Sequence, residues 1–170
     1  MSQEQRGFRG AFEALFDLHF HRILRYLDRL TGDPDLAADL AQETFVKLYR
    51  RGAVPDAPEA WLISVAMNLF RNAVTTRARR RLLLGRDRAG QGDPPPSPER
   101  SLEAERTRRR VRAALDRMPE RERSLLLLRA EGYSYRELGG ALGLNEASVG
   151  TLLARARRQF REGYTDTSDA

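Results

Sequence analysis

Residues 134–158 read SYRELGGALGLNEASVGTLLARARR. Ser134-Tyr135-Arg136-Glu137 is a capping box: the serine hydroxyl accepts an amide hydrogen bond at a helix start, and the glutamate reaches back. Leu138, Ala141 and Leu142 then recur at helical spacing, and Gly143 suits a left-handed C-terminal position. Asn145 is a good N-cap for a second helix, on which Val149, Leu152, Leu153 and Ala156 form an apolar stripe. Two short helices joined by a tight turn with a glycine describe a helix-turn-helix. The second helix of that motif enters the major groove by its N-terminal end. Glu146, Ala147, Ser148, Gly150 and Thr151 then lie nearest base edges, and Arg155, Arg157 and Arg158 suit phosphate. Gly150 costs about 1 kcal/mol against alanine inside a helix. Two accounts of that cost stand equally: backbone approach to DNA, or a solvated or helix-contacting position.

Outward from this motif the chain is helical in pattern, with little β signal. Phe12, Leu15, Phe16, Phe20, Ile23, Leu24, Leu27 and Leu30 give helical spacing over Phe8 to Leu30. TGDP ends it, with Asp33 as N-cap and Pro34 at the first position of a second helix running to about Arg51. RGAVPDAP is a loop with two prolines, and a third helix runs from Pro58 or Glu59 to about Leu84. Residues 85–98, GRDRAGQGDPPPSP, read as a linker from their proline and glycine content. Four helices follow, at about 99–117, 119–131, 135–142 and 146–162, with a frayed polar tail, GYTDTSDA. The expected fold is all-α: two small helical domains, 1–84 and 99–170, joined by a flexible linker, the second carrying the helix-turn-helix.

Composition narrows the function. The chain has 170 residues, a net charge of +6 and a pI near 10.4, which favours a polyanionic partner. Residues 1–52 carry eight acidic and eight basic side chains; residues 53–98 carry four and seven, and residues 99–170 carry twelve and fifteen. The excess therefore sits in the later parts. There is no cysteine, which excludes disulfides, thiol catalysis and cysteine-ligated zinc. MSQEQRGFRG lacks the apolar core of a signal peptide, and Leu125 to Leu128, the longest apolar run, is far short of a membrane span. A cytoplasmic protein is expected. His19 and His21 are two apart and face different sides of one helix, and there is no phosphate loop, HExxH or GxSxG. The reading is of a non-enzyme with no cofactor and no metal.

Three segments, in order, carry a family resemblance: DLAADLAQETFVKLYRR, EAWLISVAMNLFRN, and LDRMPERERSLLLLRAEGYSYRELGGALGLNEASVGTLLARARRQFRE. Together they resemble the extracytoplasmic-function class of bacterial sigma factors, the two-domain members of the sigma-70 family, over roughly residues 10–162. The resemblance implies partners: core RNA polymerase, promoter DNA and an anti-sigma factor. It implies that the first domain, region 2, docks on polymerase and reads the −10 element, and that the second, region 4, reads the −35 element. Asp39, Gln42 and Glu43 share one side of a helix, which on spacing alone is a solvated face; the resemblance makes it the polymerase-docking face. Leu40, Phe45 and Leu48 are expected inside.

Asn68, Arg71 and Asn72 group on the third helix, where amides can read base edges and arginine can neutralise phosphate. By resemblance the loop RRGAVPDAP before the helix grips an unpaired −10 base, and the group belongs to region 2, which reads that element. Arg77, Arg79, Arg80 and Arg81 continue that helix as a basic end suited to phosphates. Trp61 is expected in the core. Two departures stand out. Many family members have Asp at the position of Asn72, and basic residues at the positions of Gly150 and Leu152. Two other function classes fit a helix-turn-helix chain: a stand-alone transcriptional regulator, which binds duplex DNA without polymerase, and a helical adaptor that binds polymerase without promoter specificity.

Overall fold

The computed structural model describes residues 3–84 and 102–166. Among them are seven helices in two compact units, Met1–Gly90 and Gln91–Ala170. The predicted linker, 85–98, lies outside the described residues.

The first unit holds α1 (Gln3–Thr31), α2 (Pro34–Arg51) and α3 (Pro58–Leu84). Helix α2 has the predicted start. The Leu36 amide donates to Asp33 Oδ1 at 3.0 Å, and Pro34 opens the first turn. It stops at Gly52, whose φ of 70° places it in the left-handed region and whose amide donates to the Tyr49 carbonyl. The three helices close over Ile23, Tyr26, Leu27, Leu48, Leu62 and Ile63, all essentially inaccessible. Phe45 of α2 meets Phe12, Phe16 and Phe20 of α1 at centroid separations of 6.5, 5.1 and 5.7 Å. Removing such a buried ring costs about 3–5 kcal/mol. Helix α1 begins at Gln3, a turn earlier than the apolar pattern predicts. Phe8 makes a ring contact with Tyr49 of α2 at 6.3 Å, and Arg9 pairs with Glu13 one turn on. His19 is buried with Nε2 3.5 Å from Glu59 of α3, while His21 is exposed.

The second unit holds α4 (Leu102–Asp116), α5 (Glu120–Ala130), α6 (Tyr135–Leu142) and α7 (Glu146–Asp166). Its core is Leu115, Leu125, Leu128, Tyr133, Leu138, Val149, Leu153 and Ala156. Helix α7 packs against the other three. It runs to Asp166, so the segment GYTD, expected to fray, is helical. Gly163 lies close enough to α4 that an added Cβ would meet Ala114 at 3.6 Å. The Tyr164 ring stacks on Phe160, with the Arg110 guanidinium 4.3 Å from its centroid. These tertiary contacts hold the last turn against α4, which local composition does not reveal.

Candidate nucleic-acid interface

In the second unit the helix-turn-helix forms from local signals. The Ser134 amide donates to Glu137 Oε2 at 2.6 Å, and the Glu137 amide donates to Ser134 Oγ at 3.3 Å, closing the capping box. Helix α6 ends at Gly143 with φ 66°. The Ala147 amide donates to Asn145 Oδ1 at 3.0 Å, so Asn145 caps α7. Val149, Leu153 and Ala156 are buried as predicted, while Leu152 is only half-buried. That burial turns Glu146, Ala147, Ser148, Thr151, Arg155 and Arg158 to solvent. Ser148, Thr151 and Arg155 are spaced i, i+3, i+7 and form one exposed line along α7.

Gly150 is not part of that open line. It is half-buried, and a Cβ there would meet Tyr135 Cε2 at 3.5 Å and its hydroxyl at 3.9 Å. An alanine methyl would make only an ordinary contact with Tyr135, so the packing of α6 on α7 does not itself demand a glycine here. The Arg129 guanidinium lies 5.4 Å from the centroid of the same tyrosine ring. The glycine with no room is Gly139, on α6. A Cβ there would come within 2.9 Å of the Leu144 carbonyl oxygen in the turn. The Leu144 amide donates to the Gly139 carbonyl at 2.9 Å, so turn and helix are drawn together at this point. The paired glycines, Gly139-Gly140, were the available signal.

Arg155 also has a tertiary partner. Its Nη2 lies 3.5 Å from Oε1 of Glu122, a carboxylate on α5 whose side chain is only 6% exposed. Arg121 Nη2 approaches the same oxygen at 3.7 Å. Sequence reasoning passed over Glu122. The signal was its position three residues before Leu125, on the buried stripe of α5.

In the first unit, Asn68, Arg71 and Asn72 are exposed together on α3, away from buried Leu62, Ile63, Ala66, Met67 and Phe70. Arg79 and Arg80 continue the exposed helix, and the side chain of Arg81 lies outside the described residues. Arg77 is placed differently from its neighbours. Its Nη2 lies 2.8 Å from Asp33 Oδ2, which ties α3 to the start of α2. The Leu36 amide and the Arg77 guanidinium hold the Asp33 carboxyl below the usual carboxylate range. Trp61 is not in the core as expected. It is half-buried, with the Arg51 guanidinium 5.9 Å from its ring centroid. In the loop before α3, Pro55 is buried and Val54 is 40% exposed.

On α2, Asp39 and Gln42 are exposed and Glu43 is half-buried, its Oε1 3.9 Å from Arg50. Leu40, Phe45 and Leu48 are buried beneath them, as predicted. Among the described residues no group of three or more His, Asp or Glu could hold a metal ion, and no helix is long and apolar enough to cross a membrane.

Comparison with known proteins gives both units a counterpart. Residues 15–80 match the family model "Sigma-70 region 2", and residues 108–160 match "Sigma-70, region 4". The chain is 33% identical to the ECF RNA polymerase sigma factor SigE of Mycolicibacterium smegmatis over 156 residues, covering 89% of this chain and 61% of that protein. It is 31% identical to the RNA polymerase sigma-H factor of Pseudomonas aeruginosa, covering 90% of this chain and 86% of that one. The ECF RNA polymerase sigma factor SigL of Mycobacterium tuberculosis is 32% identical, with 87% and 85% covered. A solved complex of the sigma factor RpoE with the anti-sigma factor NepR from Bartonella quintana contains a similar fold, with a TM-score of 0.68, 21% identity, and 91% and 97% covered. So does the complex of CnrH with the cytosolic domain of CnrY, with a TM-score of 0.67, 21% identity, and 99% and 95% covered.

Proposed function

The chain belongs to the sigma-70 family of RNA polymerase sigma factors, in its extracytoplasmic-function class, and from that premise we propose how its two units divide promoter recognition. The first unit docks on core RNA polymerase through Asp39, Gln42 and Glu43. It reads and helps open the −10 element through Asn68, Arg71 and Asn72, with Arg79 and Arg80 on the backbone. Arg77 serves that helix chiefly by bracing it against Asp33. The second unit reads the −35 element with Glu146, Ala147, Ser148 and Thr151 toward base edges and Arg155 and Arg158 toward phosphates. Gly150 lies beside Tyr135 at the contact between α6 and α7 and takes no part in the open line.

The observation that carries this reading is the pair of exposed polar lines, Asn68–Arg71–Asn72 on α3 and Ser148–Thr151–Arg155 on α7, within segments matching regions 2 and 4. Amides and hydroxyls on a helix face suit base edges, and neighbouring guanidiniums suit phosphate. The chain acts as a specificity subunit in the cytoplasm and performs no chemistry of its own. An anti-sigma partner is proposed because one similar solved fold occurs in a complex with an anti-sigma factor. Run-off transcription tests the reading: core polymerase plus the purified chain should yield discrete transcripts from a genomic fragment library. Binding of duplex DNA by the chain alone, without polymerase-dependent transcripts, would favour a stand-alone regulator instead.

A further inference from the structure

Arg155 stands at the end of the exposed line Ser148–Thr151–Arg155, yet its Nη2 is turned toward Glu122 on another helix, 3.5 Å away. The two ends of this contact differ in environment. The Glu122 side chain is 6% exposed and that of Arg155 is 52% exposed. A buried carboxylate left without its counter-charge is strongly unfavourable. Arg121 lies on the same oxygen, so one anion is shared by two cations and the cluster keeps a net positive charge. A guanidinium has five N–H donors in a rigid plane. One edge can stay on Glu122 while another meets a phosphate oxygen. A lysine ammonium has three donors but on a flexible stem and without a rigid plane, so it keeps no fixed orientation between the two anions.

We propose that Glu122 is a positioning residue for DNA binding: from inside the second unit it fixes the Arg155 guanidinium on the DNA-facing line of α7, so that Arg155 meets the backbone beside the −35 element already oriented. Holding the side chain in place removes the rotamer entropy that a free arginine loses on contact. The buried carboxylate thus sets the register of α7 on the duplex without touching DNA. This rests on the assignment of α7 to the −35 element.

The test uses the full chain in holoenzyme with core polymerase. The probe is a duplex promoter fragment selected by the parent holoenzyme from a library randomised at the −35 element. Closed-complex affinity is measured across a salt series for Arg155→Ala, Glu122→Gln and the double variant, with helicity checked for each. Arg155→Ala should weaken binding roughly tenfold, the loss of one charge-assisted contact. It should flatten the slope of log K against log salt by about 0.9. Glu122→Gln should weaken binding at least roughly threefold and flatten the slope in the same direction. The double variant should match Arg155→Ala alone, since Glu122 acts through Arg155. Arg155→Lys, which leaves Glu122 its counter-charge, should bind more weakly than the parent because the fixed plane is lost; it also serves if Glu122→Gln does not fold. If Arg155→Ala weakens binding but folded Glu122→Gln keeps the parent's affinity and slope, or its loss adds in the double variant, the positioning role is overturned while the −35 assignment stands. Parental binding by Arg155→Lys overturns it as well. If Arg155→Ala itself is neutral, the placement of α7 on DNA fails, and the role of Glu122 with it.

Discussion

Gly139 and Gly150 lie in the two helices of one motif, and replacing each with alanine should move stability in opposite directions. Alanine is better than glycine in a helix interior by about 1 kcal/mol, and this gain applies to both sites. At Gly150 the new methyl group would sit 3.5 Å from Tyr135 Cε2, an ordinary contact, so the gain survives. At Gly139 it would sit 2.9 Å from the Leu144 carbonyl oxygen, and the atom in the way is backbone. The turn must retreat, straining the hydrogen bond from the Leu144 amide to the Gly139 carbonyl. Overpacking of this kind costs about 1–3 kcal/mol. Because the propensity gain cancels between the variants, their difference reports the steric term alone. Gly150→Ala should gain about 1 kcal/mol, or about 4–8 °C in melting temperature for a domain of this size. Gly139→Ala should lie about 1–3 kcal/mol below it. Native-state hydrogen exchange of α6 and α7 amides is the assay, since it reads this motif separately from the first unit. Gly150→Ala should also keep the parent's promoter affinity. A stabilised Gly150→Ala that lost DNA binding would return Gly150 to close approach to bases, and a Gly139→Ala as stable as Gly150→Ala would refute the steric argument altogether.

Charge reversal of Asp39 and Glu43 should weaken core polymerase binding in a competition assay without loss of helicity; unchanged affinity would mark that side of α2 as a merely solvated surface. Asn68→Ala or Asn72→Ala should lower transcription even from a template with an optimal −35 element, and equal transcription by variant and parent would remove these amides from −10 recognition. Asp33→Ala should cost about 1 kcal/mol through loss of the α2 cap. The Asp33 carboxyl is held below its ordinary range by the Leu36 amide and then Arg77, so its contribution is complete above the unfolded-state value and is lost as pH falls through the folded one. Denaturation across acidic pH should therefore show a smaller pH dependence for Asp33→Ala than for the parent, and parallel curves would contradict the capping account.

The amino-acid order alone settled the helical class and most helix boundaries. The capping box at Ser134, the turn glycine at Gly143 and the Asp33-Pro34 start of α2 act over a few residues, within reach of the local chain. The exposed lines on α3 and α7 were legible for the same reason: helical spacing assigns residues to faces once the apolar stripe is known. Tertiary structure decided what distant residues do to one another. Arg77 and Arg155 look alike in sequence to the other arginines of their helices, yet Asp33 and Glu122 engage them. Trp61 reads as core by its type, but its position beside Arg51 leaves it half-buried. Gly150 reads as the glycine with a special task, and Gly139 as its unremarked neighbour. Only the approach of the turn to α6 reverses that order, because steric room is set by which backbone atoms the fold brings opposite a Cα.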